Sequence, residues 1–125
     1  MRVLVIDDDR FWARSMEYYL KQYGFFVKII NKYSEVDYDD ITKDYDVIVL
    51  DLMLRRPPES DVPDEWDTGE YIYTKIKEKS PDKRVVIVTA VDRPVLESRF
   101  KLDQTPIFIK PLDPSFRDLI ECIKL

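Results

Sequence analysis

The feature that most constrains this chain is the run Val47-Ile48-Val49-Leu50, entered at Asp46 and closed by Asp51. Four consecutive apolar residues, three of them β-branched, fit a strand buried on both faces, as in the middle of a parallel sheet. Asp51 then stands where the strand leaves the sheet. In open α/β folds that carboxyl edge is where ligands and chemistry collect.

The rest of the chain alternates in the same way. Arg2 to Ile6 reads as a strand ending in Asp7-Asp8-Asp9, and Phe25 to Ile30 as a second. Between them Trp12, Met16, Tyr19, Leu20 and Tyr23 recur at a helical period, with Asp9 placed as N-cap and Gly24 as the terminating glycine. Asn31 to Asp44 predicts a short or distorted helix, because its Asp-rich middle is a weak helix former. After Val47–Leu50 comes a connection, residues 52–67, of about 16 residues where a βα loop usually has about 2–6. Thr68 to Lys79 reads as a helix stopped by Ser80-Pro81, Arg84 to Thr89 as the fourth strand, and Pro94 to Leu102 as a helix. Pro106 to Ile109 is the fifth strand, and Asp113 to Lys124 closes the chain as a helix with Phe116, Leu119, Ile120 and Ile123 inward. Five strands alternating with helices predict a single doubly wound (βα)5 domain over residues 1–125, a flavodoxin-like α/β fold with a five-stranded parallel sheet covered on both faces.

Composition removes whole classes of function. The chain has no histidine, which excludes His-based acid–base chemistry, Ser-His-Asp triads and His-ligated zinc in cis. Two glycines and no GxGxxG or GxxxxGK[ST] leave nucleotide binding without its usual support. A net charge of −5 argues against nucleic-acid or anionic-membrane binding. No apolar run approaches the roughly 20 residues of a membrane span, the start is too short in apolar core for a signal peptide, and the single Cys122 fits a reducing cytoplasm. With 25 Asp and Glu, hard cations held through oxygen are the natural cofactor class.

Four of the five strands end in chemically useful residues: Asp7-Asp8, Asp51, Thr89 and Lys110. Parallel strands bring these ends to one edge. Three crowded carboxylates repel one another, and a divalent cation such as Mg²⁺ relieves that repulsion while leaving positions open for phosphate oxygens. Lys110 offers a charge and Thr89 a hydroxyl to a phosphoryl group. Asp51 can then attack phosphorus and form an acyl phosphate, a reaction that runs on positioning and charge neutralisation.

At these residues the chain resembles the receiver domains of two-component response regulators, over essentially its whole length. The resemblance rests on Val5-Ile6-Asp7-Asp8, Ile48-Val49-Leu50-Asp51-Leu52-Met53, Val88-Thr89-Ala90 and Ile109-Lys110-Pro111. It implies that Asp7 and Asp8 hold Mg²⁺ together with Asp51 and the backbone carbonyl of Met53. It implies that Asp51 accepts a phosphoryl group from a sensor histidine kinase or a histidine phosphotransfer protein, that Thr89 and Lys110 hold that group, and that Lys110-Pro111 is cis. The output implied is a switch in contacts with a downstream effector. Self-phosphorylation and autodephosphorylation are expected, but no turnover of an outside substrate. No output domain follows Leu125, so DNA binding is not expected of this chain. The alternative is a degenerate receiver that binds proteins without phosphotransfer, against which the retained five residues argue. An aspartyl phosphatase is disfavoured because Met53 stands where such enzymes place a second acid.

Three departures from the family pattern stand out. Ile107 replaces the aromatic residue three places before the lysine, so either the switch lacks its aromatic half or Ile107 simply packs in the sheet. Gly69 lies eighteen residues beyond Asp51, about ten more than is common in the family, making the 52–67 loop either a flap beside the site or a tolerated insertion. Met53 and Val91 are apolar where side chains influence attack by water, which predicts a long-lived phosphoryl state. Trp12 and the tyrosines of the first helix read as packing surface, Cys122 as a small buried hydrophobe, Asp37, Asp39 and Asp40 as a solvated patch, and Asp9 as a cap and not a metal ligand.

Overall fold

The chain was analysed as a computed structural model, which describes residues 1–58, 60–90, 100 and 103–125. The predicted helix at Pro94–Leu102 and the position of Val91 lie outside the described residues, Phe100 excepted. Five strands, β1 (Arg2–Ile6), β2 (Phe26–Ile30), β3 (Val47–Leu50), β4 (Arg84–Thr89) and β5 (Ile107–Ile109), form one parallel sheet in the order β2-β1-β3-β4-β5. The described helices are α1 (Arg10–Gln22), α2 (Tyr38–Asp44), α3 (Thr68–Lys79) and α4 (Arg117–Lys124), with a 3₁₀ turn at Tyr33–Glu35.

The period-2 alternation of the strands sorts the core into two chemistries. Leu4, Ile6, Ile48, Leu50, Val85 and Ile87 face one side, packed with Ile41 of α2 and Ile72, Tyr73 and Ile76 of α3. Val3, Val5, Val47, Val49, Val86 and Val88 face the other, packed with Ala13, Met16 and Leu20 of α1 and Leu119, Ile120 and Ile123 of α4. Every residue of β3 is buried, as its unbroken apolar run predicts. Register pins this arrangement: Val5 lies between Ile29 and Val49, and Ile6 between Ile30 and Leu50. The chain turns to the other half of the sheet between β1 and β3, so the crevice of this topology opens where Asp7 and Asp51 stand.

Local chemistry sets the element ends. Asp9 caps α1, its Oδ1 accepting the Trp12 N–H at 3.1 Å. At the other end Gly24 takes φ +85, its N–H reaching the Lys21 carbonyl while the Phe25 N–H reaches Leu20, a Schellman closure that a β-carbon would strain. This closure keeps Phe25 out of β2, which starts one residue later than predicted.

The segment 31–44 splits into the 3₁₀ turn and α2, and Asp37, Asp39 and Asp40 are exposed, as expected of a solvated patch. Asp37 is the N-cap, accepting from the Asp39 and Asp40 N–H groups, which puts Asp39 and Asp40 in the first turn, where the helix dipole favours acids. The closing helix begins at Arg117, four residues later than Asp113. Asp113 turns its carboxylate onto the Ser115 and Arg117 N–H groups, and Phe116 sits in the left-handed region at φ 56, which interrupts the helical path. Phe116 is buried nonetheless, edge-on to Trp12 at 5.3 Å. Cys122 is half-buried against the valine-rich core, and burial pushes its thiol pKa up. No described helix is long and apolar enough to cross a membrane.

Candidate functional site

The site is built at the ends of neighbouring strands. Asp7 and Asp8 follow β1 and Asp51 follows β3, and one carboxylate oxygen from each lies within 4.8 Å of the others. Asp7 and Asp51 are buried, at 2% and 5% exposure, while Asp8 is exposed and forms the open side. Lys110, one residue past β5, reaches across the sheet edge. Its Nζ lies 2.9 Å from Asp7 Oδ2 and 3.0 Å from Asp51 Oδ2. Thr89 ends β4 and is buried, and the Lys110 N–H donates to its carbonyl at 2.8 Å. The Lys110-Pro111 peptide is cis, as the resemblance implies.

Each carboxylate is oriented by a further contact. The Asp9 N–H donates to Asp7 Oδ1 at 2.9 Å, the Met53 N–H to Asp51 Oδ1 at 2.9 Å, and the Arg55 N–H to Asp8 Oδ2 at 3.0 Å. Asn31 Nδ2 holds the Asp7 carbonyl at 3.0 Å. Gly69 completes the scaffold: a β-carbon there would overlap the Asp51 carbonyl oxygen and Leu52 Cα, so only glycine lets α3 start this close to β3.

One ammonium shared between two buried carboxylates leaves the cluster short of positive charge. Burial pushes Asp7 up to about 6; its hydrogen bond from Lys110 pulls it back only in part, and the Asp51 charge adds to the rise. Burial alone would lower Lys110, but its hydrogen bond to Asp7 and the charges of Asp51 and Asp7 together hold it above its ordinary value. The Trp12 ring lies 5.1 Å from Nζ, a further favourable contact for the ammonium. Three oxygen donors within one ion's reach, an excess of negative charge and an exposed side fit a hard divalent cation.

No family model matches this chain, and no curated protein matches it in sequence. Its structure is nonetheless similar to many solved ones. A CheY-like response regulator receiver domain protein from Methanospirillum hungatei JF-1 shares 23% identity at TM-score 0.75, covering 98% of this chain and 90% of that one. The receiver domain of the Francisella response regulator 1452 shares 23% at TM-score 0.76, covering 98% and 93%. This chain has the receiver-domain fold. A third receiver-fold neighbour, from Burkholderia pseudomallei, was solved with a phosphorylated aspartic acid, a calcium ion and citrate; it shares 18% identity at TM-score 0.74, covering 98% of this chain and 65% of that one.

On the receiver fold, Asp7, Asp8, Asp51, Thr89 and Lys110 fall at one edge, and the Asp9 carboxylate caps α1. Trp12 packs on Phe116 as expected, but its position over Lys110 had no signal in the sequence. Ile107 pairs with Ile87 and packs against the Leu/Ile core, the packing reading of that position. Met53 is half exposed at the head of the loop.

The loop itself is built, with features no motif announced. Leu52 and Leu54 are buried in the Leu/Ile core, and Val62 is buried as well. The Arg56 guanidinium donates to the carbonyls of Val62, Pro63 and Trp66 and to the Asp64 carboxylate. Asp61 accepts from the hydroxyls of Tyr33 at 2.6 Å and Tyr71 at 3.2 Å. Those bonds keep the Asp61 carboxyl below its usual range, and burial together with Asp61 raises Tyr33. Trp66 is half-buried and edge-on to Tyr71 at 6.0 Å.

Proposed function

We propose that this chain is a phosphoacceptor receiver: Asp51 takes a phosphoryl group from a phosphohistidine donor in a Mg²⁺-dependent reaction, and the change at the site alters contacts with an effector. The observation that carries this reading is the Lys110 ammonium bridging Asp7 and Asp51 beside the exposed Asp8. Receiver-fold neighbours support it, one of them with a phosphorylated aspartate.

The residues have distinct tasks. The Met53 N–H fixes the rotation of the Asp51 carboxylate by holding Oδ1. A carboxylate oxygen of Asp51 attacks phosphorus, the O–P bond forms as the donor's P–N bond breaks, and the electron pair leaves with the imidazole nitrogen. Lys110 exchanges part of its contact with Asp51 for the incoming phosphoryl oxygens, and Thr89 supplies a hydroxyl to them. Asp7, Asp8, Asp51 and the Met53 carbonyl would hold Mg²⁺, whose bound charge supplies the neutralisation that lets a dianionic phosphoryl group approach three carboxylates. The apolar Met53 offers no group to position a hydrolytic water, so the acyl phosphate is long-lived. The chain acts on itself and is not a turnover enzyme.

The test is labelling by acetyl phosphate, or beryllofluoride binding, with and without Mg²⁺, in wild type and Asp51→Asn. The expected result is Mg²⁺-dependent modification of wild type alone. Label retained in Asp51→Asn overturns the site, and none in wild type leaves a protein-binding module.

A further inference from the structure

Beside Asp8, between the start of α1, the turn after β2 and the long loop, lies a cleft of about 390 Å³. Among the described residues its charged lining is Arg10, Lys32, Arg55 and Asp8. Three cations against one acid among the described residues reverse, locally, the sign of a chain whose net charge is −5. All three are exposed, and none forms an ion pair among the described residues. The cleft also has apolar lining, from Leu54, the Tyr33 ring and the loop prolines Pro57 and Pro58.

This cleft is constructed, and by the insertion. One wall belongs to the body of the fold: Arg10, Lys32 and Tyr33. The opposite wall is the first part of the loop, Leu54 to Pro58. The Arg55 N–H on Asp8 and the Asp61 carboxylate on the Tyr33 and Tyr71 hydroxyls tie the loop wall to the body of the fold, and the Arg56 guanidinium on the loop's own carbonyls stiffens it. Its volume falls in the range of small-molecule pockets, and guanidinium groups are suited to carboxylates and phosphates.

We propose that this cleft is a binding site for a small organic anion, a phosphorylated or carboxylated molecule with an apolar part, seated between Arg10, Lys32 and Arg55. The site shares Asp8 with the carboxylate cluster, so an occupant stands at the mouth through which a phosphoryl donor reaches Asp51. It does not depend on Asp51 being phosphorylated, and the two readings fail separately.

The experiment uses phenyl phosphate, with inorganic phosphate as the comparison lacking the apolar part, titrated at fixed ionic strength in metal-free buffer. Without metal the Asp7, Asp8 and Asp51 carboxylates repel anions, so binding reports on the cleft and not on the acceptor. The readout is amide chemical-shift change in a two-dimensional NMR spectrum. Saturable shifts are expected at Asn31, Lys32, Tyr33 and Arg55, with phenyl phosphate the tighter of the two probes. Each of Arg10→Gln, Lys32→Gln and Arg55→Gln weakens binding about two- to fivefold, the range for single exposed charge contacts. Asp61→Ala, which keeps every cation, weakens it further by releasing the loop wall from Tyr33. Equal, non-saturating shifts for both probes would mean diffuse ion attraction and overturn the proposal, as would binding unchanged in the three cation variants. Saturable binding in a protein that acetyl phosphate cannot label would retain this site and remove the receiver reading.

Discussion

Two regions meet at the end of β3, and they are held by opposite means. In the strand-end cluster Asp7, Asp51 and Thr89 are buried and Lys110 is partly buried, and their positions follow from a parallel sheet with alternating apolar strands. The loop that follows Asp51 has no ladder to lean on. It is fixed by one guanidinium on three of its carbonyls, one carboxylate between two tyrosines and a few buried aliphatic side chains. The cluster is strained by charge and supported by the fold, whereas the loop is held by Arg56 and Asp61 bonds, three of them to its own backbone. Changes to the cluster should therefore register in global stability, and changes to the loop locally.

The sharpest break of the cluster is Lys110→Met. It leaves Asp7 and Asp51 buried and adjacent with no cation between them, and removal of one partner from a buried ion pair costs about 3–5 kcal/mol. The expected result is that loss in urea unfolding at neutral pH without metal, largely regained when Mg²⁺ is added. A stable, metal-indifferent variant would mean that Lys110 does not compensate these acids.

Gly69→Ala tests the junction between the two regions. The new β-carbon overlaps backbone of Asp51 and Leu52, which cannot move as a flexible side chain can. Separating α3 from β3 costs on the order of 1–3 kcal/mol, as overpacking in a core does. A melting temperature within a degree of wild type would show that the junction gives way freely.

Asp7→Asn works in the other direction. Burial raises the Asp7 pKa in the folded state to about 6, above its unfolded value. Between those values the folded state binds more protons than the unfolded one, so stability falls as pH rises toward 6 and the cost of ionised Asp7 is complete above it. The substitution therefore stabilises the metal-free protein at pH 7 by up to about 3 kcal/mol, and the gain fades as pH is lowered from 6 to 4. A gain that grows on acidification would contradict the sign.

This asymmetry also decides what could be read in advance. Buried parallel strands write themselves as apolar runs, so β3 and β4, with Asp51 and Thr89 at their ends, were legible from Val47 to Leu50 and Arg84 to Thr89 alone. Lys110 was legible because a strand ends beside it. What escaped depends on side-chain contacts with no period. Asp113, which closes a turn and delays the last helix, has the same composition signal as a first-turn acid. Asp37 is exposed, as its acidic surroundings suggest, but its capping had no signal because capping depends on where the backbone turns, and the helix is too short to show a period. Arg56 and Asp61 carry no signal, since their partners are loop carbonyls and two distant tyrosines.

The smallest global effect should come from Arg56→Ala, and it discriminates the two regions most cleanly. The guanidinium is only partly buried, and its partner Asp64 is fully exposed, so the ion pair itself contributes little. Its carbonyl partners lie in the loop, where water can replace a lost donor. Unfolding free energy should change by about 1 kcal/mol or less, because the sheet and both cores are untouched. Local opening should rise: hydrogen exchange of the Arg55 amide, which donates to Asp8, should speed up more than any amide of β1 or β3. Because that amide is what holds Asp8 Oδ2, Mg²⁺ affinity should shift with it while Asp51 labelling at saturating Mg²⁺ stays the same. Equal acceleration in loop and strands would instead make the insertion part of the cooperative core.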